Sequence, residues 1–154
     1  MISFRIRGLP AAPFAHLFDL SPAELAREHA LRLTADGAGY PCRVSLTDAA
    51  AGDEVILVNY VHHPVDTPYR ASFAIYVRRG EQTYDAVDRV PDQLRRRLLS
   101  IRGFDAAGLL RAADVVPGTE LQSAVGTLLR DPRVSYLHVH FAKPGCYAAL
   151  IERA

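Results

Sequence analysis

The chain has 154 residues, of which 49% are hydrophobic and 23% are charged, and its formal net charge is +1. This composition excludes the disordered class, and the length predicts one domain over residues 1–154. The balanced charge gives no general attraction to nucleic acid or to an anionic membrane, so we expect neither as a partner. The sequence shows no signal-peptide pattern and no bilayer-spanning apolar run, which predicts a cytoplasmic protein.

The first half of the chain is predicted to hold five strands and one helix. Apolar alternation and β-branched runs predict strands at residues 2–7, 31–34, 44–46, 54–62 and 71–78. The helix is predicted to begin after Ser21, because Ser21 and Glu24 have the spacing of a capping box with Pro22 between them. The strand at 54–62 is almost continuously apolar, which is typical of a central strand.

The second half is predicted to contain two hairpins and two helices. Residues 98–104 and 109–116 form one hairpin, and residues 134–142 and 146–152 form the other. A short helix is predicted at 91–97. A capping box at 119–122 predicts a second helix that ends by residue 130. Strands in runs with a few short helices indicate an α+β domain, a largely antiparallel sheet with two or three helices mainly on one face.

The last hairpin contains the segment YLHVHFAKPGCY, in which histidines occupy alternate positions. Strand alternation places Tyr136, His138 and His140 on one face, and we expect that face to be open because the intervening residues are apolar. Two such imidazoles can bind one metal with help from neighbouring strands, and His62 and His63 end the central strand near them. No metal motif of fixed spacing occurs. Zinc is therefore a candidate that the spacing does not favour, and no cofactor is identified.

The two cysteines are candidates for a nucleophilic thiolate. Cys42 opens a strand after a glycine-rich loop, and Cys146 begins the last strand. A thiolate needs a neighbouring base or positive charge, and His140 is the base that we consider for either cysteine. A small buried hydrophobic residue is the commoner fate of a free cysteine.

Arginines near strand ends are candidates for binding an anion. Arg43 follows Cys42, and Arg70 follows Tyr69 at the entrance to a strand. A guanidinium presents a planar set of donors that fits a carboxylate or a phosphate. Simple ion pairing with one of the acidic residues remains the alternative.

Three segments together resemble a bacterial family of uncharacterised proteins, domain of unknown function 1203. They are GYPCRVSLTDAAAGDEVIL, TPYRASFAIYVR and VHFAKPGCYAALIERA. The resemblance covers nearly the whole chain and implies no reaction. It implies that six residues belong to recurring motifs of the family: Cys42, Arg43, Tyr69, Arg70, His140 and Cys146.

Three functions stay open on the sequence alone. The first is a binding module for a small anionic ligand or a metal, formed at one end of the sheet by residues 41–43, 68–70 and 138–146. In it Arg43 and Arg70 bind the anion with Tyr69, and His138 and His140 act as ligands or hydrogen-bonding groups. The second is an enzyme that uses Cys42 or Cys146 with His140. The third is a structural or interaction protein without a small-molecule site. The oligomeric state stays open.

Overall fold

The computed structural model describes residues 1–154 and contains eleven strands, three α-helices and two 3-10 helices. The strands are β1 (Phe4–Arg7), β2 (Ala30–Thr34), β3 (Pro41–Cys42), β4 (Thr47–Asp48), β5 (Glu54–His63), β6 (Ala71–Val77), β7 (Asp85–Val87), β8 (Leu98–Phe104), β9 (Leu110–Pro117), β10 (Tyr136–Phe141) and β11 (Tyr147–Arg153). The helices are α1 (Pro22–Arg27), α2 (Asp92–Arg95) and α3 (Leu121–Leu128), with 3-10 helices at Ala12–Asp19 and Gly118–Glu120.

The strands form two sheets. The first has the order β7-β1-β11-β10-β8-β9, and the second has the order β2-β5-β6-β3-β4. All pairs are antiparallel except β3 with β6. The predicted α+β class is confirmed. The single sheet of the prediction is divided in two because long-range pairing, which local patterns do not encode, decides which strands meet.

Each sheet has its own apolar core and its own helices. Leu94 of α2 and Leu121 and Val125 of α3 pack into the core of the first sheet. Phe14 and Leu17 of the long 3-10 helix pack into the core of the second sheet, as does α1. None of the helices is long and apolar enough to cross a membrane.

The capping box at Ser21 is confirmed, since its side chain accepts from the Glu24 amide and the Glu24 carboxylate accepts from the Ser21 amide. The second predicted box is wrong. Helix α3 begins at Leu121 and has no side-chain cap, because residues 118–120 already form a 3-10 turn. Gly118, the first residue of this turn, donates its amide to the Arg97 carbonyl at 2.8 Å. This hydrogen bond connects the turn to the segment that follows α2.

The two faces of β10 are both covered. Leu137, Val139 and Phe141 lie in the first core, as predicted. The expectation of an open histidine face is wrong, because only 5% of His138 and 1% of His140 is exposed. The second sheet covers this face, and its His62 lies 5.2 Å from His140 between ring centroids. The histidine row is therefore an interior polar layer between the sheets.

Candidate metal centre

A β-bulge at the end of β5 turns two adjacent histidines toward the first sheet. Val61 pairs with Ser72 and His63 pairs with Ala71, so that His62 is the extra residue of the bulge. Successive side chains of a regular strand point to opposite faces, and a bulge interrupts this alternation. The His62 ring lies 6.0 Å and the His63 ring 4.8 Å from the His138 ring, measured between centroids. The bulge thus brings both side chains to the histidines of β10.

His63 is a structural member of this group because both of its ring nitrogens have partners. Its Nδ1 donates to the Tyr69 carbonyl at 2.8 Å, since a carbonyl oxygen can only accept. Its Nε2 then accepts from the Tyr136 hydroxyl at 2.6 Å. His63 therefore has no lone pair left for a ligand.

The remaining three histidines form what we call the histidine centre: His62, His138 and His140. One ring nitrogen from each lies within 4.8 Å of one from each of the others. Each ring also has a buried nitrogen without a hydrogen-bond partner, and these three are half of the six such side-chain atoms in the protein. An unpartnered buried polar group costs about 1–3 kcal/mol. A ligand bound among these three neighbouring rings would supply a partner that the protein does not.

The tautomer of His140 is fixed by the hairpin turn. Its Nδ1 donates to the Gly145 carbonyl at 3.0 Å. In the neutral ring the lone pair therefore lies on Nε2, which is the buried nitrogen without a partner. A backbone carbonyl that orients an imidazole in this way is typical of metal-binding histidines.

Burial keeps all three rings of the histidine centre neutral at pH 7. It is the largest cause that lowers the pKa of His62 to about 4, of His138 to about 2 and of His140 to about 4. Arg102 lowers all three further by electrostatic repulsion. Metal ions bind neutral imidazole, so these rings do not have to release a proton before a metal ion binds.

A cavity of about 360 Å³ adjoins the histidine centre and has a positively charged lining without acidic residues. Arg102 lies opposite His138 in the ladder of β8 and β10. Its guanidinium and that of Arg70 make no ion pair or hydrogen bond within the chain. Tyr69 lines the same cavity and is 41% exposed. The structure thus brings Tyr69, Arg70, His138 and His140 together, as the sequence suggested.

The other candidates, Cys42, Arg43 and Cys146, lie outside this cavity. Cys42 is fully buried, and burial raises the pKa of its thiol to about 12, so that it is protonated at neutral pH. The two cysteines are both free thiols. No hydrogen bond joins His140 to either of them. The Arg43 guanidinium donates to the Tyr147 carbonyl at 2.7 Å, to the Cys146 sulfur at 2.8 Å and to the Pro41 carbonyl.

Sequence reasoning missed Arg102 and did not include His62 among the metal ligands. The only sequence signal for His62 is its position at the end of the central strand, and its orientation depends on the bulge. Arg102 becomes visible only when β8 is paired with β10 in register. Both residues were hidden because their roles depend on strand pairing rather than on local pattern.

The fold and the site define a two-sheet α+β protein with a buried cluster of neutral histidines between its sheets. The chain belongs to the family described as Protein of unknown function (DUF1203), whose model matches residues 39–153. The resemblance seen in the sequence is thereby confirmed, and the matched region contains the whole histidine centre. Comparisons with curated proteins and with solved structures found no match.

Proposed function

We propose that the histidine centre binds one divalent transition-metal ion, with Zn²⁺ as the first candidate, and that the adjoining cavity holds a small anion on that ion. The observation that carries this proposal is the convergence of three imidazole rings: one ring nitrogen of each lies within 4.8 Å of one of each of the others, and each ring has a buried nitrogen without a hydrogen-bond partner. Imidazole is a preferred ligand of zinc, copper, iron and nickel, which makes this donor set suitable for a transition metal.

The separation of the nitrogens is compatible with a metal site after small ring movements. In a tetrahedral site with Zn–N distances of about 2.0 Å, ligand nitrogens lie about 3.3 Å apart. The candidate nitrogens of His62, His138 and His140 lie within 4.8 Å of one another. Rotation of the half-buried His62 ring toward the two rings of β10 would shorten these distances. Three protein ligands leave a fourth position open, as in catalytic zinc sites.

The charge of the cavity supports an anion in that open position. Three neutral imidazoles leave the double positive charge of the metal uncompensated. Arg70 and Arg102 add two cations to the same cavity, and no Asp or Glu lines it. Guanidinium groups bind carboxylates and other oxyanions through paired donors. The proposed ligand is therefore a small carboxylate or oxyanion.

The metal is tested on full-length protein purified without a histidine tag and treated with a chelator. Titration with Zn²⁺ and elemental analysis after gel filtration should give one metal ion per chain. With Co²⁺ the visible absorption should be that of a four-coordinate site. His62→Gln, the least disruptive change because His62 is only half-buried, should abolish stoichiometric binding. His16→Gln is the matched control, because His16 is exposed and lies outside the centre.

Two results would count against the metal proposal: no stoichiometric binding, or equal binding by His62→Gln and the wild type. The anion is tested separately by thermal unfolding of the zinc-loaded protein with sodium acetate or sodium sulfate. Either salt should raise the melting temperature of the wild type more than that of Arg102→Gln. Equal shifts in the two proteins would contradict the anion site and leave the metal site standing.

A further inference from the structure

A second cavity, of about 540 Å³, lies beside Cys146 and Phe141 and contains none of the histidines. We call it the cysteine cavity. Four basic residues line it, and no acidic residue does: Arg43, Arg96, Arg97 and Lys143. A cavity lined only by positive charges attracts anions, and its low-dielectric walls strengthen the attraction.

Not all of these cations are free to bind a ligand. Arg97 pairs with Asp48 at 2.9 Å, whereas Arg96 makes only a loose exposed contact with Asp92 at 3.8 Å. Lys143 makes no ion pair or side-chain hydrogen bond, and it is exposed. Lys143 and Arg96 are therefore the groups available to a bound anion.

The cysteine cavity also has an apolar wall that is partly open to solvent. Phe73 is 43% exposed and Leu98 is 46% exposed, and both line the cavity together with the half-buried Leu57. Large apolar side chains that rim a concave site are typical of ligand pockets. The matching ligand would carry an apolar part next to its charge.

Cys146 lies in the lining of this cavity, against a buried cation. Arg43 is 1% exposed and forms no ion pair with an Asp or a Glu. A guanidinium stays protonated in proteins, and a buried charge is costly unless an opposite charge compensates it. Among the hydrogen-bond partners of Arg43, only the Cys146 sulfur, at 2.8 Å, can ionise. The contact holds the Cys146 sulfur at the wall of the cavity, beside a fixed positive charge.

We propose that the cysteine cavity binds small anionic molecules that carry an apolar part, and that the Cys146 sulfur is the nucleophile presented to them. An electrophilic carbon in such a molecule would form a bond with the sulfur while its leaving group departs with the bonding electron pair. The proton of the Cys146 thiol passes to solvent. Iodoacetate is a probe of this class: the S–C bond forms, the C–I bond breaks and iodide leaves.

The test compares the anionic reagent iodoacetate with the neutral reagent iodoacetamide at pH 7, in the presence of EDTA. Alkylation rates at Cys146 and Cys42 are measured by peptide mass spectrometry on the folded protein and on the urea-unfolded chain. In the folded protein Cys146 should react although it is only 6% exposed, whereas Cys42, which is fully buried and does not line the cavity, should not. The ratio of the iodoacetate rate to the iodoacetamide rate should rise on folding. Lys143→Ala should lower that ratio by about threefold, the effect of one nearby charge in a partly aqueous site.

Arg130→Ala is the matched control, since it removes an exposed cation that does not line the cavity. It should leave the ratio unchanged. Alkylation of Cys146 that is no faster than that of the fully buried Cys42 in the folded protein would overturn Cys146 as the nucleophile. A ratio that neither folding nor Lys143→Ala changes would overturn the selection of anions. Neither variant touches the buried network of Arg43, so both should fold.

Discussion

The histidine centre and the Arg43–Cys146 pair lie on either side of one short segment, residues 145–147. They differ in their hydrogen bonding: the guanidinium nitrogens of Arg43 all have partners, whereas each ring of the histidine centre has a nitrogen without one. The Gly145 carbonyl accepts from His140, and the Tyr147 carbonyl accepts from Arg43. The rings of the histidine centre are neutral, and each retains a nitrogen without a partner. The Arg43 guanidinium is buried, and each of its nitrogens donates to a protein atom.

This difference separates a group that stabilises the fold from groups that can accept a ligand. A buried donor whose partners are all present contributes to stability, and its removal leaves those partners unsatisfied. A buried nitrogen without a partner adds no hydrogen bond to the folded state, so its removal should lower the free energy of unfolding only slightly. The two regions should therefore respond differently to substitution, to pH and to metal.

The largest effect is expected from Arg43→Met, which keeps the length of the side chain and removes its donors. The substitution leaves the Tyr147 and Pro41 carbonyls without the guanidinium, and we expect a loss of about 3–4 kcal/mol in the free energy of unfolding. Urea unfolding measures this loss. Arg130→Ala should change stability by less than about 0.5 kcal/mol, because Arg130 is exposed. Equal stability of Arg43→Met and the wild type would show that the network around Arg43 does not support the fold.

The contrast also shows which features could be predicted from the sequence. The alternation of Leu137, Val139 and Phe141 identified the core face of β10, because a strand has a period of two. The spacing of Leu121 and Val125 likewise identified the buried face of α3. These patterns are local, so that they persist whatever the rest of the chain does.

The covering of the opposite face could not be predicted in the same way. A polar residue in a strand indicates solvent only if nothing packs on that face, and here the second sheet packs on His138 and His140. The burial of Arg43 depends on contacts with residues more than 100 positions away in the chain. Both features arise from the docking of the two sheets, which no local pattern specifies.

The next effect concerns acid and should appear in the histidine centre. Burial lowers the pKa of His138 to about 2 and of His140 to about 4, against 6.5 for an ordinary histidine. Below pH 6.5 the unfolded chain therefore binds protons that the folded protein does not, and stability falls as the pH falls. Between pH 7 and pH 5.5 the two histidines of β10 should cost the metal-free protein about 2 kcal/mol, roughly 1 for each, and the half-buried His62, whose pKa is also lowered, should add to this loss.

Urea unfolding in the presence of EDTA at these two pH values measures the loss. His140→Gln should remove the His140 share of about 1 kcal/mol, whereas the control His16→Gln, at an exposed histidine outside the centre, should not reduce the loss in this way. The range stays above pH 5.5 so that protonation of carboxylates contributes little. Stability that does not change with pH would mean that the buried rings accept protons in the folded state.

The smallest and most discriminating effect compares the two neighbours at the bulge. The Nδ1 of His62 has no hydrogen-bond partner, and the His62 ring stacks on Tyr147 at 5.0 Å and 13°. His62→Phe keeps the stacked ring, so the metal-free protein should change in stability by less than about 1 kcal/mol. His63→Phe removes the partners of the Tyr136 hydroxyl and the Tyr69 carbonyl, and it should cost about 1–3 kcal/mol.

In the presence of zinc, the order of the two stability losses should reverse, so that His62→Phe loses more stability than His63→Phe. Zn²⁺ at a hundredfold excess over its dissociation constant stabilises a protein by about 2.7 kcal/mol, and this gain should disappear in His62→Phe. His63→Phe should retain most of the gain, because both nitrogens of His63 already have protein partners. Thermal unfolding of both variants with Zn²⁺ and with EDTA measures the gain. A larger loss of zinc stabilisation in His63→Phe than in His62→Phe would mean that His63, rather than His62, completes the metal site with the two histidines of β10.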